Sequence, residues 1–136
     1  MRLETQFSVF VVNKPGILAA VTGALAAVKI NMTALSLMDS GDHGMLRMIC
    51  DDAVKARSVL SAAHDRWTET QVVVVELGNA PGIFAAVSQR LADEKINITY
   101  AYCTSSASQA KATAVFKVED PAKALAILQR GERPEQ

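Results

Sequence analysis

The sequence has few aromatic residues, few cysteines and no excess of charge of either sign. Aromatic residues make up 5% of the 136 residues, although half of the chain is hydrophobic. The apolar content is therefore mainly Ala, Val, Ile and Leu, which suits a core of closely packed helices and strands. A chain of this length makes one ordinary domain or two very small ones.

The balance of charge argues against two classes of partner. Lys and Arg number 14, Asp and Glu also number 14, and neither sign forms a long run. Non-specific binding to nucleic acid depends on neutralising phosphates, and binding to an anionic membrane needs a polybasic segment. We therefore predict that neither nucleic acid nor a membrane is a partner.

Two cysteines, Cys50 and Cys103, lie far apart in the sequence. They are too few for a disulfide scaffold and lack the clustered ligands of a zinc site, so we predict two reduced thiols and no bound metal or cofactor. His43 and His64 are likewise predicted at the surface. The N-terminus lacks the apolar segment of a signal peptide, and the most hydrophobic helical stretch, residues 17–28, is too short to span a bilayer. We expect a cytoplasmic protein.

The sequence contains an internal repeat. Residues 13–33 and residues 79–99 are identical at 13 of 21 positions and share Asn-x-Pro-Gly-Ile followed by Lys-Ile-Asn. This match has an offset of 66, whereas residues 53–56 resemble residues 121–124 with an offset of 68. The shift predicts two inserted residues in the second copy, in the polar stretch 105–109, because hairpin loops accept insertions at little cost.

Each copy is predicted to contain a strand, a helix, two strands and a second helix. In the first copy, residues 6–12 form the strand, Pro15 lies in the first turn of the helix, and a Gly-rich turn at 40–44 joins the next two strands. Asp51 or Asp52 is expected to cap the second helix. Residues 71–77 must end the first copy and open the second. We favour one long strand, 67–77, shared by both copies; the alternative is a separate short strand at 67–69.

The second copy ends early. After its last predicted helix, at residues 122–129, only residues 130–136 remain, without an apolar strand pattern. The predicted fold is α+β, with two tandem ferredoxin-like βαββαβ modules at residues 1–69 and 70–136. The second module is expected to lack its last strand, leaving a sheet edge that a second subunit covers in a homodimer.

The repeated Asn-x-Pro-Gly-Ile and Lys-Ile-Asn motifs resemble the ACT-domain family of small-molecule sensors, over about residues 5–130. The resemblance implies an allosteric regulatory protein that binds a free amino acid where two ACT modules meet. In the first copy the implied ligand-binding residues are Asn13, Lys14, Pro15, Gly16, Ile17, Leu18, Asn31 and Met32. In the second copy they are Asn79, Ala80, Pro81, Gly82, Ile83, Phe84, Asn97 and Ile98. Since Ala80 replaces the charged Lys14, equal use of both loops is not implied.

The physical chemistry of these residues supports the same reading. Unpaired N–H groups at a helix start suit a carboxylate, Gly16 and Gly82 permit close approach of a ligand, and asparagine carbonyls accept hydrogen bonds from an ammonium group. Three structural alternatives to ligand binding stay open. The first is that the loops are simply tight connections between a strand and a helix. The second is that Asn31 and Asn97 cap the C-termini of their helices, and the third is that Met32 fills the core.

Two other functions compete with an isolated sensor. The chain is alternatively a regulatory subunit or interaction module of an amino-acid biosynthetic enzyme or a transcriptional regulator, which adds an enzyme as a possible partner. An enzyme on this fold is disfavoured, because no acid–base pair or nucleophile–base set is visible and no catalytic residue is predicted.

Overall fold

The computed structural model describes residues 1–64, 66–78, 80–104 and 110–130. This part of the chain is α+β, with six strands and four helices. In chain order they are β1 (Arg2–Val12), α1 (Ile17–Ala27), β2 (Met32–Ser40), β3 (His43–Cys50), α2 (Ala53–Ala63), β4 (Trp67–Gly78), α3 (Ile83–Asp93), β5 (Ile98–Thr104), β6 (Lys111–Val118) and α4 (Pro121–Arg130). None of the helices in these ranges is long and apolar enough to cross a membrane.

The chain divides into two compact units, and the division does not follow the predicted boundary. The first unit is Thr5–Thr70, and the second combines Met1–Glu4 with Gln71–Gln136. Strands β1 and β4 each pass from one unit into the other. The predicted boundary between residues 69 and 70 assigned residues 1–4 to the first module, whereas the structure groups them with the second unit.

In the first unit the strands follow the order β2-β3-β1-β4. Strand β3 pairs antiparallel with both β1 and β2. The start of β4 completes this unit, where the Phe10 amide donates a hydrogen bond of 2.9 Å to the Arg66 carbonyl. Strand β4 runs without interruption from Trp67 to Gly78, so the prediction of one long shared strand is confirmed.

In the second unit the strands follow the order β1-β4-β6-β5, with β1 contributing its first residues. Met1 and Leu3 pack against the core of this unit, and the Arg2 guanidinium lies 3.3 Å from the Glu76 carboxylate. The second module was predicted to lack its last strand, and the start of the chain supplies a strand in its place. The expectation that a sheet edge is left open there is wrong, because Arg2–Glu4 lies beside β4.

Each unit has its own apolar core built from alternate strand residues and one face of each helix. In the first unit, Phe7 and Val9 of β1 meet Leu25 of α1 and Leu60 of α2. In the second unit, the buried residues include Val73, Val75, Leu91, Phe116 and Leu128. The scarcity of aromatic residues thus leaves the core to aliphatic side chains, with one Phe fully buried in each unit.

The hairpins explain the change in the repeat offset. Met38 pairs with Met45 in the first unit, and Thr104 pairs with Thr113 in the second, so two more residues separate the second pair. The predicted insertion therefore lies between Thr104 and Thr113. The stretch 105–109 itself lies outside the described residues.

Candidate functional site

Both Pro-Gly motifs form the same tight turn between a strand and a helix. The Ile17 amide donates to the Lys14 carbonyl at 3.4 Å, and Gly16 has φ +86° and ψ −9°. These are the features of a type II turn, in which proline suits the second position and glycine the third. The turn ending at Ile83 repeats this geometry in the second unit. Pro15 therefore lies before the helix and not in its first turn as predicted, because the left-handed Gly16 separates them.

The helices that follow these turns begin without a side-chain cap. Gly16 and Gly82 stand at the N-cap positions of α1 and α3, and no side chain caps either helix in the described part of the chain. The first intrahelical bond of α1 is from Ala20 to Gly16, so the preceding amides have no intrahelical acceptor. Both glycines are exposed, and a Cβ placed on either would meet no atom within 4 Å. Each helix start thus offers N–H donors and positive dipole charge to a ligand.

Asn13 ties the turn before α1 to the hairpin between β2 and β3. Its side-chain amide donates to Asp39 Oδ1 at 3.4 Å and to the Gly41 carbonyl at 3.1 Å. Its backbone amide donates to the Asp42 carbonyl at 2.9 Å. Since both side-chain hydrogens are engaged, the carbonyl oxygen of the Asn13 side chain is the atom left to accept a hydrogen bond.

A cavity of about 180 Å³ lies beside this turn in the first unit. Its lining residues are Val11, Asn13, Ile17, Leu37, Met38, Asp39 and Gly44. The structure thus brings two of the predicted residues, Asn13 and Ile17, together around one cavity. Sequence reasoning missed Asp39, which brings a carboxylate to the site. The register of the strands places Asp39 beside Val11, because Gly44 pairs with both residues. A predicted register for the β2–β3 hairpin would therefore have pointed to Asp39.

The other predicted residues of the first copy do not line this cavity. Lys14 and Pro15 are exposed on the turn, while Leu18 and Met32 are partly buried against the core. Asn31 forms a reciprocal pair with Asp51: the Asn31 amide donates to Asp51 Oδ1 at 3.1 Å, and the Asp51 amide donates to the Asn31 carbonyl at 2.9 Å. This pair joins the start of β2 to the end of β3.

The Lys-Ile-Asn motif ends each first helix. Lys29 is left-handed, with φ 62°; its amide donates to Ala26, and the Ile30 amide donates to Leu25. These are the two bonds of a Schellman motif, and buried Ile30 and Leu25 belong to one core cluster. Lys95, with φ 60°, and the residue after it make the equivalent bonds in the second unit. The alternative that Asn31 and Asn97 occupy the left-handed capping position is therefore wrong.

In the second unit the predicted residues are not gathered around one described cavity. Asn79 lies outside the described residues, and Ala80, Pro81 and Gly82 are exposed. Ile83 and Ile98 pack against the core, and the Phe84 ring stacks on Phe116 with centroids 5.2 Å apart. Asn97 borders a separate cavity of about 410 Å³. The other residues lining it are Lys95, Ile96, Glu119, Asp120 and Lys123.

The thiols differ sharply in their surroundings. Burial raises the pKa of Cys50 to about 11, with a smaller contribution from the neighbouring charge of Asp51, whereas Cys103 is exposed. Both are free thiols. Within the described ranges, no group of His, Cys, Asp and Glu side chains is placed to hold a metal ion.

Solved structures similar to this protein cover nearly the whole chain. Protein BT0572 from Bacteroides thetaiotaomicron is 32% identical, with a TM-score of 0.87 over 96% of this chain and 89% of that one. The regulatory subunit of aspartate kinase from Thermus thermophilus is 16% identical, with a TM-score of 0.71 over 98% and 99% of the two chains. The corresponding Thermus flavus subunit is 19% identical, with a TM-score of 0.62 over 97% and 96%. These two similarities show that this chain has the same fold as both subunits.

The search of curated proteins gives no match. The family model described as an ACT domain pair matches residues 2–132. That span includes both Pro-Gly turns, all ten helices and strands, and the N-terminal segment that completes the second unit. The chain belongs to the family of ACT domain pairs.

Proposed function

We propose that this chain is a non-catalytic regulatory protein that binds a free amino acid at the turn between β1 and α1. Membership of the ACT domain pair family supports the regulatory role. One observation carries the choice of site: the exposed, uncapped start of α1 lies beside a cavity lined by Asn13 and Ile17. That arrangement combines main-chain donors, a polar acceptor and an apolar wall.

The chemistry of an amino acid matches these three features. Its carboxylate accepts hydrogen bonds from the first-turn amides of α1, and its ammonium group donates to the Asn13 carbonyl oxygen. A charge at a helix terminus contributes about 0.3–1 kcal/mol. A millimolar Kd corresponds to about −4 kcal/mol and a micromolar Kd to about −8 kcal/mol. Several hydrogen bonds and some apolar burial must therefore add to the dipole, and we expect affinity within this range.

Two implications of the family resemblance stay predictions. One is that the ligand lies where two ACT modules meet, and the other is that the protein is a homodimer. The proposed contacts above involve residues of the first unit alone and do not depend on either implication.

A thermal-shift screen over the twenty amino acids at millimolar concentration tests the proposal. A ligand that binds only the folded state stabilises it by about 2.7 kcal/mol at a concentration 100 times its Kd. We expect one amino acid or a small related group to raise the melting temperature. Absence of a shift for all twenty would contradict the sensing role.

A pair of proline variants locates the binding site. Ala19→Pro removes one first-turn donor of α1, and Ala85→Pro removes the equivalent donor of α3. Because neither amide has an intrahelical acceptor, both variants cost similar stability. We expect Ala19→Pro to abolish the ligand-induced shift and Ala85→Pro to retain it. Equal retention in both variants would place the ligand elsewhere.

A second candidate function is that of a regulatory subunit docked on an enzyme. A row of apolar side chains crosses three strands of the first unit, in which Met45 pairs with both Phe10 and Met38. Phe10 is 49% exposed and Met38 is 51% exposed. A contiguous exposed apolar surface of this kind favours contact with another protein.

Native affinity purification with a paired Phe10→Asp variant tests this second candidate. We expect the unaltered chain to retain one enzyme in stoichiometric amount and Phe10→Asp to lose it. Recovery of the chain alone would contradict the candidate. Light scattering on both variants then shows whether the row instead joins two copies of this chain, because Phe10→Asp would convert that dimer to a monomer.

A further inference from the structure

The geometry points to Asp39 as the acceptor of the ligand's ammonium group, and we propose that the ligand is an amino acid with an aliphatic side chain, held by the first unit alone. This inference rests on the proposed function and narrows it to a ligand class and to one of the two copies. Three features of the cavity carry it: its walls, its one carboxylate and its floor.

The walls of the cavity are apolar on several sides. Val11, Ile17 and Leu37 contribute branched aliphatic side chains. The volume of about 180 Å³ is slightly above the ~150 Å³ of an apolar cavity that binds benzene. Such a space accepts a side chain of three or four carbon atoms, such as that of valine, leucine, isoleucine or methionine. An anionic side chain would lose hydration there without a matching partner, because no Lys, Arg or His is among the residues that line the cavity.

Asp39 brings a negative charge to this apolar space. It lies at the end of β2, opposite Gly44, and Asn13 Nδ2 approaches its carboxylate at 3.4 Å. The side chain of Asp39 is exposed, so a ligand can reach it. An ammonium group is a suitable partner for this carboxylate, because a charge-assisted hydrogen bond is stronger than one to a neutral donor.

Asn13 connects the two ends of the proposed ligand. Its side chain bonds to Asp39 and to the Gly41 carbonyl, while its backbone lies on the turn that leads into α1. Ile17, the first residue of α1, lines the same cavity as Asp39. Asp39 and the first residue of α1 therefore border one space, and the amides of the first turn that lack an intrahelical acceptor follow directly after Ile17.

The second copy differs at two positions that matter. In the sequence, Ser105 stands 66 residues after Asp39, so the carboxylate has no counterpart. Ala112 pairs with Leu77 as Gly44 pairs with Val11, so a methyl group replaces the glycine hydrogen. A Cβ on Gly44 would lie 3.3 Å from the Met38 carbonyl oxygen, 3.3 Å from Val11 Cγ2 and 3.4 Å from Leu37 Cδ1, all in residues that line the cavity. At the equivalent position of the second unit, the methyl group of Ala112 thus takes up space that Gly44 leaves free.

Isothermal titration with valine, leucine, isoleucine and methionine tests the inference on three forms of the full chain. These are the unaltered protein, Asp39→Asn, and Asp42→Asn as the matched control, because Asp42 is exposed in the same hairpin and does not line the cavity. We expect at least one of the four amino acids to bind the unaltered protein. Asp39→Asn should raise the Kd of that amino acid tenfold or more, and Asp42→Asn should leave the Kd within twofold of its unaltered value. The deaminated analogue of the bound amino acid lacks the ammonium group. It should therefore bind weakly, and with the same Kd to the unaltered protein as to Asp39→Asn.

A second variant tests the cavity floor independently of charge. Gly44→Ala introduces the residue found at position 112, and its melting temperature without ligand reports whether it folds. We expect Gly44→Ala to raise the Kd of leucine or methionine at least fivefold and to raise the Kd of alanine less. A folded Gly44→Ala variant that binds all of these ligands as well as the unaltered protein does would overturn the assignment to this cavity.

The outcomes separate this inference from the proposed function. Binding of an aliphatic amino acid that survives Asp39→Asn would refute the role of Asp39 while the sensing role stands. Preferred binding of a charged or polar amino acid would refute the ligand class. If none of the twenty amino acids binds the unaltered chain, both proposals fail together.

Discussion

Glycine at position 16 is required by the backbone conformation and not by its surroundings. Gly16 has φ +86°, and the space around it is open. A residue with a Cβ pays about 1–2 kcal/mol in left-handed geometry, partly offset because glycine loses more entropy on folding. We expect Gly16→Ala to lower the free energy of unfolding by about 1 kcal/mol in a urea titration.

Gly23→Ala is the matched control for that substitution. Gly23 lies within α1 and its surroundings are equally open, but its φ is not positive. Alanine exceeds glycine in helix propensity by about 1 kcal/mol. We expect Gly23→Ala to raise stability, so the two variants should shift the urea midpoint in opposite directions. A shift of the same sign in both would contradict the type II turn.

The two cysteines should differ in reactivity. Burial raises the pKa of Cys50 to about 11, while Cys103 is exposed. At pH 8 about one Cys50 thiol in a thousand is then ionised, and only the thiolate reacts. We expect iodoacetamide to modify Cys103 first, with mass-mapped peptides as the readout. Equal rates in the folded protein would contradict the burial of Cys50.

Ionisation of Cys50 also makes stability depend on pH. The thiol binds its proton more tightly in the folded state than in the unfolded chain, so this contribution is fully present below about pH 9 and is lost as pH rises toward 11. The loss at high pH should be smaller in Cys50→Ala than in the unaltered protein. Urea midpoints of both proteins at pH 8 and pH 10.5 provide the measurement.

At the scale of elements, the four helices begin in two ways. Helices α1 and α3 start at bare glycines, whereas Asp52 caps α2 through the Lys55 amide at 3.0 Å and Asp120 caps α4 through the Lys123 amide at 3.1 Å. The prediction that Asp51 or Asp52 caps α2 is thus confirmed for Asp52. The uncapped starts follow the repeated turn, and the proposal above places the ligand at the start of α1.

Removal of a cap should have a measurable cost. We expect Asp120→Ala to lower the free energy of unfolding by about 1 kcal/mol, since alanine leaves an amide at the start of α4 without its acceptor. Asp120→Asn should cost less, because asparagine caps as well as aspartate does. A urea titration of both variants checks this, and equal losses would show that the charge and not the hydrogen bond matters.

At the scale of the whole molecule, the N-terminal residues stabilise the end of the chain that is distant in sequence. Leu3 packs, half-buried, against the core of the second unit. We expect Leu3→Ala to cost about 1–2 kcal/mol, below the range for a fully buried leucine, and to speed amide exchange in residues 71–78. Arg2→Ala removes exposed ion pairs with Glu4 and Glu76 and should change stability by less than about 0.5 kcal/mol. Equal effects of the two variants would contradict this packing.

Sequence alone determined the features that depend on neighbouring residues. Pro15 and Gly16 specify a turn through their own backbone preferences, and the apolar spacing after them specifies a helix. The repeat then shows that the same local solution occurs twice, and its change of offset locates the longer hairpin. The turn and the helix need only residues a few positions apart, and the repeat needs only a comparison of two stretches of the sequence.

Only the tertiary structure decided what joins distant residues. The place of Arg2–Glu4 within the second unit and the approach of Asn13 to Asp39 both bring together residues that are far apart in sequence. Such contacts form because apolar faces must be buried and strand edges must be paired, and many pairings satisfy one sequence pattern until the whole chain is folded. The motif that resembles the family thus marked the turn, while the carboxylate that completes the proposed site became visible only once β2 lay in register with β3.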